Sequence, residues 1–316
     1  MGMTGERDES GARVLLLVAG MRPMLGPHAP GLALVGPEAG EDAVAWARAH
    51  GAGIRAAISS GIDRYDAAML AALPDLGRIA VFGAGMDGVD LESAAARGIR
   101  VTNADGLHAG DVAEHAVAMA LAAWRRLPEG DAWVREGRWL REGRMAPIRA
   151  FAGTCVGIVG LGHIGRAIAA RLVPFGCAIR WWGPRPQPGV TWERVADLGA
   201  LAAWSDVLIV AARAHDDTRG LIDAAVIDAL GPHGLLVNIA RGFVIDEGAL
   251  IAALTDGRLG QAALDVFDPE PADPARWAGV PNVLLQPHLA GATTDAIQRL
   301  AAHAVESVRA WLAEAG

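Results

Sequence analysis

Short apolar runs alternate with segments of helical spacing through the first third of the chain. ARVLLLVAG, GLALVG, IRAAISSG, RIAVFGAG and IRVTNADG read as strands, with EDAVAWARAHG, DAAMLAALPDLG and LESAAARG as helices between them. Strands alternating with helices predict parallel pairing in a layered α/β sheet. From Asp111 the pattern lengthens into DVAEHAVAMALAAWRRLPEG. Here Asp111 and Glu114 form a start signal, and Pro128 and Gly130 are expected to stop a long helix. Residues 131–150, around WVREGRWLREGRM, lack a clear period and are expected to form a solvated loop or a subunit contact. A second alternation runs through TCVGIVG, WSDVLIVAA, GLLVNIARG, QAALDVF and NVLLQPH, which predicts a second doubly wound unit. Residues 292–314 have helical spacing and are expected to cross back to the first lobe, placing both termini in one domain.

A length of 316 residues suits two domains, each able to bury its own core. No apolar run approaches the ~20 residues of a membrane-spanning helix. The opening MGMTGERDES lacks the basic and apolar regions of a secretory signal, so a cytoplasmic protein is expected. A net charge of −8 argues against a sequence-independent grip on nucleic acid and favours a small-molecule partner. All 28 basic residues are arginine, which removes Schiff-base chemistry and the Gly-Lys-Ser/Thr phosphate loop. With no CxxC, HExxH or GxSxG, there is no motif for a metal site or an acyl-serine enzyme, and Cys155 and Cys177 read as reduced core residues.

CVGIVGLGHIGRAIAARLVPFG holds Gly160, Gly162 and Gly165 in GxGxxG spacing, between an apolar strand and an amphipathic helix ending at Pro174. That context predicts a dinucleotide site. Gly160 allows a tight turn, Gly162 lets backbone approach a pyrophosphate, and Gly165 lets helix and strand pack, with His163 and Ile164 opening the helix. The next strand, CAIRWW, ends at Gly183, about 20 residues on, where an acid often binds the ribose hydroxyls. Arg185 follows. A small residue with a nearby guanidinium favours the 2′-phosphate of NADP over NAD, with Arg180 an alternative contact if the loop turns back.

Three further stretches leave the ends of apolar strands: NIARG with Arg241, ALDVFDPEP with Asp265 and Glu270, and LLQPH with His288. Hydride exchange with a keto or hydroxy acid needs a cation for the substrate's oxygens and a group that moves a proton near neutral pH. Arginine and histidine suit these roles, and a carboxylate such as Glu270 would orient the imidazole. Singly, each residue could serve as a helix cap, a surface acid or a strand-end histidine.

Taken in order, residues 81 to about 300 resemble the D-isomer-specific 2-hydroxyacid dehydrogenases, particularly their glyoxylate and hydroxypyruvate reductase branch. VGIVGLGHIGRAIA looks like the family's cofactor motif. LLVNIARGFVIDEGALIAAL, AALDVFDPEP and LLQPHLAGAT look like its catalytic blocks. The resemblance implies a catalytic set of Arg241, Glu270 and His288, with Asp265 near the nicotinamide carboxamide. It also implies that the turn FGAGMDGVD holds the substrate carboxylate through amides near Ala84, Gly85 and Met86. A Rossmann-type nucleotide domain, 107–288, would be inserted into a flavodoxin-like substrate domain, 1–106 with 289–316, in a homodimer joined through the nucleotide domains. The implied activity is NAD(P)H-dependent reduction of a small 2-keto acid to the D-2-hydroxy acid. Corepressor-like cofactor sensing and phosphoglycerate oxidation rank second, since no regulatory tail or appended domain is expected. The sequence departs from many relatives in having Ala109 rather than a hydroxyl-bearing residue, and in lacking a proline in AARAHDDTRG.

Overall fold

The computed structural model describes residues 11–314, so the opening decapeptide on which the cytoplasmic expectation rested lies outside the described residues. The chain divides into two compact units, one ending at His108 and resuming at Thr294, the other spanning Ala109–Thr293. The first switch falls two residues later than expected, where the helix Ala109–Trp124 begins. The second falls after Thr293 rather than His288. The amides of Leu289 and Ala290 bond Asp265 and the Thr293 hydroxyl bonds Asp111, which ties this stretch to the second unit.

The first unit is built on β1 (Ala12–Leu15), β2 (Leu32–Val35), β3 (Ala56–Ser59), β4 (Arg78–Val81) and β5 (Arg100–Thr102). They pair in parallel in the order β2-β1-β3-β4-β5. That is the flavodoxin-type order. Parallel strands carry covering helices on both faces, so their apolar residues run continuously; all four of Ala56–Ser59 are buried. The terminal helix Thr294–Glu314 closes one face with Ala301, Ala304, Val305 and Val308, a single stripe at helical spacing. Each fully buried valine there contributes about 1.5–3 kcal/mol.

The second unit carries β6 (Cys155–Val159), β7 (Ala178–Trp182), β8 (Glu193–Arg194), β9 (Val207–Val210), β10 (Leu235–Asn238), β11 (Gln261–Leu264) and β12 (Val283–Leu285). Their order is β12-β11-β10-β9-β6-β7-β8, and every pairing is parallel. The order reverses between β6 and β9, the switch point at which an open α/β sheet binds its ligand. The helix Ala109–Trp124 buries Ala113, Ala116 and Ala120 in the same core as Ile168 and Ala169 of the helix His163–Leu172.

Of the stretch 131–150 expected to be a loop, the part up to Glu142 lies in two short helices instead, Leu127–Arg135 and Arg138–Glu142, and residues 143–150 are irregular. Pro128 opens the first of them and ends nothing. In a helix's first turn proline loses no intrahelical bond, and the break falls at Arg126, whose φ is +50°. Among the described residues no helix is long and apolar enough to cross a membrane, and no His/Cys/Asp/Glu cluster could hold a metal ion.

Candidate active site

The three motif glycines do different work at the end of β6. Gly160 sits at φ +92°, and a Cβ there would meet the Ala212 Cα at 2.6 Å. At Gly165 a Cβ would lie 2.1 Å from the Gly160 oxygen. At Gly162 it would meet nothing within 4 Å, so the approach to the helix His163–Leu172 is open on this side. The first intrahelical bond runs from the Arg166 amide to the Gly162 oxygen, so the amides of His163, Ile164 and Gly165 open the helix. Open space before a set of helix-opening amides fits a dinucleotide pyrophosphate.

At the end of β7, Gly183 is buried and its carbonyl accepts two bonds from the Arg194 guanidinium, at 3.1 and 2.7 Å. Arg185 is exposed in the loop beyond it. Arg180, the alternative phosphate contact, is engaged elsewhere: it pairs with Glu193 at 2.9 Å and lies 4.5 Å over the Trp204 ring.

Because all these strands are parallel, the ends of β10, β11 and β12 share the sheet edge that carries Gly160. His288 follows β12 with φ +54°, and its Nδ1 lies 2.7 Å from the Glu270 Oε2. The other carboxylate oxygen of Glu270 accepts the Phe267 amide at 3.0 Å. Burial pushes the Glu270 carboxyl up. The hydrogen bonds from His288 and from the Phe267 amide, with the charges of His288 and Arg241, outweigh burial and hold it below its ordinary value. A lowered folded value means that the pair stabilises the fold above the usual carboxylate range, and that this contribution is lost as pH falls through the lowered value. Arg241 is therefore near enough for its charge to act on Glu270. Of the sequence-predicted set, His288 and Glu270 are in direct contact, and Arg241 bears on Glu270 through its charge.

Asp265 has 0% exposure, and its oxygens accept the Leu289 amide at 2.8 Å and the Ala290 amide at 2.9 Å. Its own carbonyl accepts the His288 amide at 2.8 Å. The carboxylate thus braces the turn that presents the imidazole. His115 stands 3.4 Å from the same carboxylate. In the first unit, the turn bearing Ala84, Gly85 and Met86 is held by the Asn103 side chain donating to the Ala84 oxygen at 2.7 Å and by the Val89 amide donating to the Met86 oxygen at 3.0 Å.

Residues 117–290 match the D-isomer specific 2-hydroxyacid dehydrogenase NAD binding domain. The chain belongs to the D-isomer-specific 2-hydroxyacid dehydrogenases. It is 42% identical over 246 residues to a glyoxylate/hydroxypyruvate reductase A of Arabidopsis thaliana, covering 78% of each protein. Its fold resembles a 2-hydroxyacid dehydrogenase of Ketogulonicigenium vulgare, with a TM-score of 0.89, 38% identity and 96% of each chain covered. It also resembles the NADPH-dependent glyoxylate/hydroxypyruvate reductase of Sinorhizobium meliloti in complex with NADP and malonate, with a TM-score of 0.87 and 35% identity over 96% of this chain and 94% of that one. The family exchanges hydride between a nicotinamide cofactor and 2-keto or 2-hydroxy acids.

In this dehydrogenase the residues that hold the catalytic loops are less conspicuous than those they hold. The buried Asn238 amide donates to the Arg241 oxygen at 3.0 Å, and its side-chain oxygen accepts the Ala240 amide at 3.0 Å, shaping the exit from β10. A Cβ on Gly242 would lie 1.9 Å from the Phe267 carbonyl carbon, so only glycine lets the Arg241 loop lie against the Phe267 loop. Glu247 is buried and bonds the Asp268 amide at 2.8 Å and Arg276 at 2.8 Å. In sequence these are an acid in VIDEGAL and a glycine after Arg241, with nothing that marks them as buried. Neither carries chemistry of its own, and the reading gave them none.

Proposed function

We propose that this dehydrogenase is a cytoplasmic, homodimeric NADPH-dependent reductase of small 2-keto acids, with glyoxylate and hydroxypyruvate as leading substrates and the D-2-hydroxy acid as product. The reading rests on one observation: the His288 imidazole is paired to an ionised Glu270 that also feels the Arg241 charge. A carboxylate only accepts, so His288 Nδ1 bears the hydrogen of that bond. Nε2 is then the position from which a proton is delivered. Arg241 polarises the substrate carbonyl, and His288 protonates the developing alkoxide. When bound, the reduced nicotinamide supplies the hydride. The amides of Ala84, Gly85 and Met86 are assigned the substrate carboxylate, and Asp265 the nicotinamide carboxamide in addition to its bracing role.

Gly183 and Arg185 favour NADPH, since no carboxylate stands at the end of β7 to repel a 2′-phosphate. Purified protein assayed with a panel of 2-keto acids is expected to consume NADPH in preference to NADH. Arg185→Ala should raise the KM for NADPH about 10–100-fold, the scale of one or two charge-assisted bonds at ~1.5–3 kcal/mol, with little change for NADH. Absence of turnover with every keto acid and both cofactors would end the reading.

The dimer assignment is supported by the helices Leu127–Arg135 and Arg138–Glu142, where Val134, Trp139 and Leu140 are 56%, 54% and 93% exposed. Adjacent exposed apolar side chains of this size mark a contact surface. Leu140→Glu is expected to shift the protein from dimer to monomer in light scattering without unfolding it; a dimer unchanged by that substitution places the interface elsewhere.

A further inference from the structure

The loop that carries Glu270 is gripped from within the second unit by a single buried side chain. Glu247 lies in the first turn of the helix Glu247–Thr255, which Asp246 caps by accepting the Ala249 amide. Its side chain is 6% exposed. One oxygen accepts the Asp268 amide at 2.8 Å, two residues before Glu270, while the other pairs with the Arg276 guanidinium at 2.8 Å. Arg276 in turn donates to the Asp268 backbone oxygen at 3.2 Å, so carboxylate and guanidinium hold the amide and the carbonyl of the same residue. Arg219 completes the arrangement, donating to the Asp268 carboxylate at 3.3 Å while lying 4.7 Å over the Phe243 ring.

A buried carboxylate is retained at a cost in desolvation, so it needs full partnering and a use. Burial raises the Glu247 carboxyl, the Asp268 amide and Arg276 lower it, and the nearby Asp268 and Glu270 charges raise it again, leaving it above its ordinary value. Helix packing alone would be served by an apolar residue at this position. What the carboxyl side chain adds is a fixed point for the Asp268 amide, and through it for the carboxylate that orients His288.

We infer that Glu247, with Arg276, is a positioning residue for the proton-transfer pair: it sets where Glu270 stands and so how tightly Glu270 holds His288. The inference rests on the reading of His288 as proton donor, yet its test does not depend on turnover.

The experiment follows the His288 ring through a pH titration by NMR with 15N-labelled histidine, assigned by comparison with His288→Asn, in the full-length protein. In Glu247→Ala the Glu270 contact slackens, and the ring's titration midpoint is expected to move by half a pH unit or more. Glu247→Gln, which keeps an oxygen for the Asp268 amide, should restore most of the wild-type midpoint. A change confined to thermal stability, with the midpoint unmoved in a folded Glu247→Ala protein, overturns the inference. Should that variant fail to fold, Arg276→Met removes the cation holding the same carboxylate and must shift the midpoint in the same direction; no shift there overturns it equally. Kinetics on the same samples keep the two ideas apart. An inactive wild type refutes the proton-donor reading, whereas an active wild type with an unmoved midpoint refutes the role of Glu247. In the active case, Glu247→Ala should lower kcat about tenfold or more with the KM for NADPH within about twofold.

Discussion

His288→Asn is expected to lower kcat for keto-acid reduction about 10²–10⁴-fold, the usual worth of a positioned acid, while leaving NADPH affinity within about twofold. Asparagine is the informative replacement for two reasons. His288 has φ +54°, a left-handed conformation that asparagine tolerates better than most residues, so the turn should survive. Its amide can also still donate to Glu270, which otherwise would be left half-buried without its strongest partner. What is lost is the ionisable nitrogen on the far side of the ring. Cofactor affinity should persist because the glycine cradle at the end of β6 and the loop after β7 are separate in sequence from this turn. Turnover within a factor of a few of wild type would remove His288 from the chemistry. Cofactor titration by fluorescence separates that outcome from collapse of the fold.

Much of the architecture was legible because parallel strands buried on both faces appear in sequence as unbroken apolar runs, and VGIV, VLIV and LLVN all fall within strands of the second sheet. The glycine fingerprint was legible for a similar reason: two of its three glycines are forced by backbone approaches of 2.6 and 2.1 Å, which no other residue accommodates. The helices at 127–142 were not legible. Proline is read as a stop unless the helix is already known to begin one residue earlier, and Val134 and Leu140, 56% and 93% exposed, put apolar residues where helical spacing expects polar ones. Arg180 and Arg185 could not be separated by spacing. Arg180 is engaged by Glu193 and Trp204, which β8 and the helix Leu198–Trp204 bring against it, while Arg185 stays exposed. Glu247 was hidden by distance, since its partner amide lies 21 residues on. Sequence patterns reveal residues that repeat a period or carry recognisable chemistry; a side chain whose task is to hold another loop does neither.

Gly242→Ala should show how closely the catalytic loops depend on one backbone contact. The added Cβ would sit 1.9 Å from the Phe267 carbonyl carbon, 2.2 Å from its oxygen and 2.4 Å from the Asp268 nitrogen. All three are backbone atoms, so no rotamer change relieves the overlap. One loop must move, and the two loops in question carry Arg241 on one side and Glu270 on the other. Overpacking of this kind costs about 1–3 kcal/mol, which for a domain of this size lowers Tm by roughly 2–12 °C. The kinetic effect should exceed the thermal one. Misplacement by about 1 Å of groups that act together on one carbonyl can cost about 10²-fold in turnover, and Arg241 and His288 are assigned such shared action. Gly279→Ala is the control, since a Cβ there meets nothing within 4 Å and φ is not positive; it should leave both Tm and kcat near wild type. If Gly242→Ala proves as benign as that control, the two loops do not depend on their close approach at Gly242, and their placement rests on the Asn238 bracket and the Glu247–Arg276 grip on either side of it.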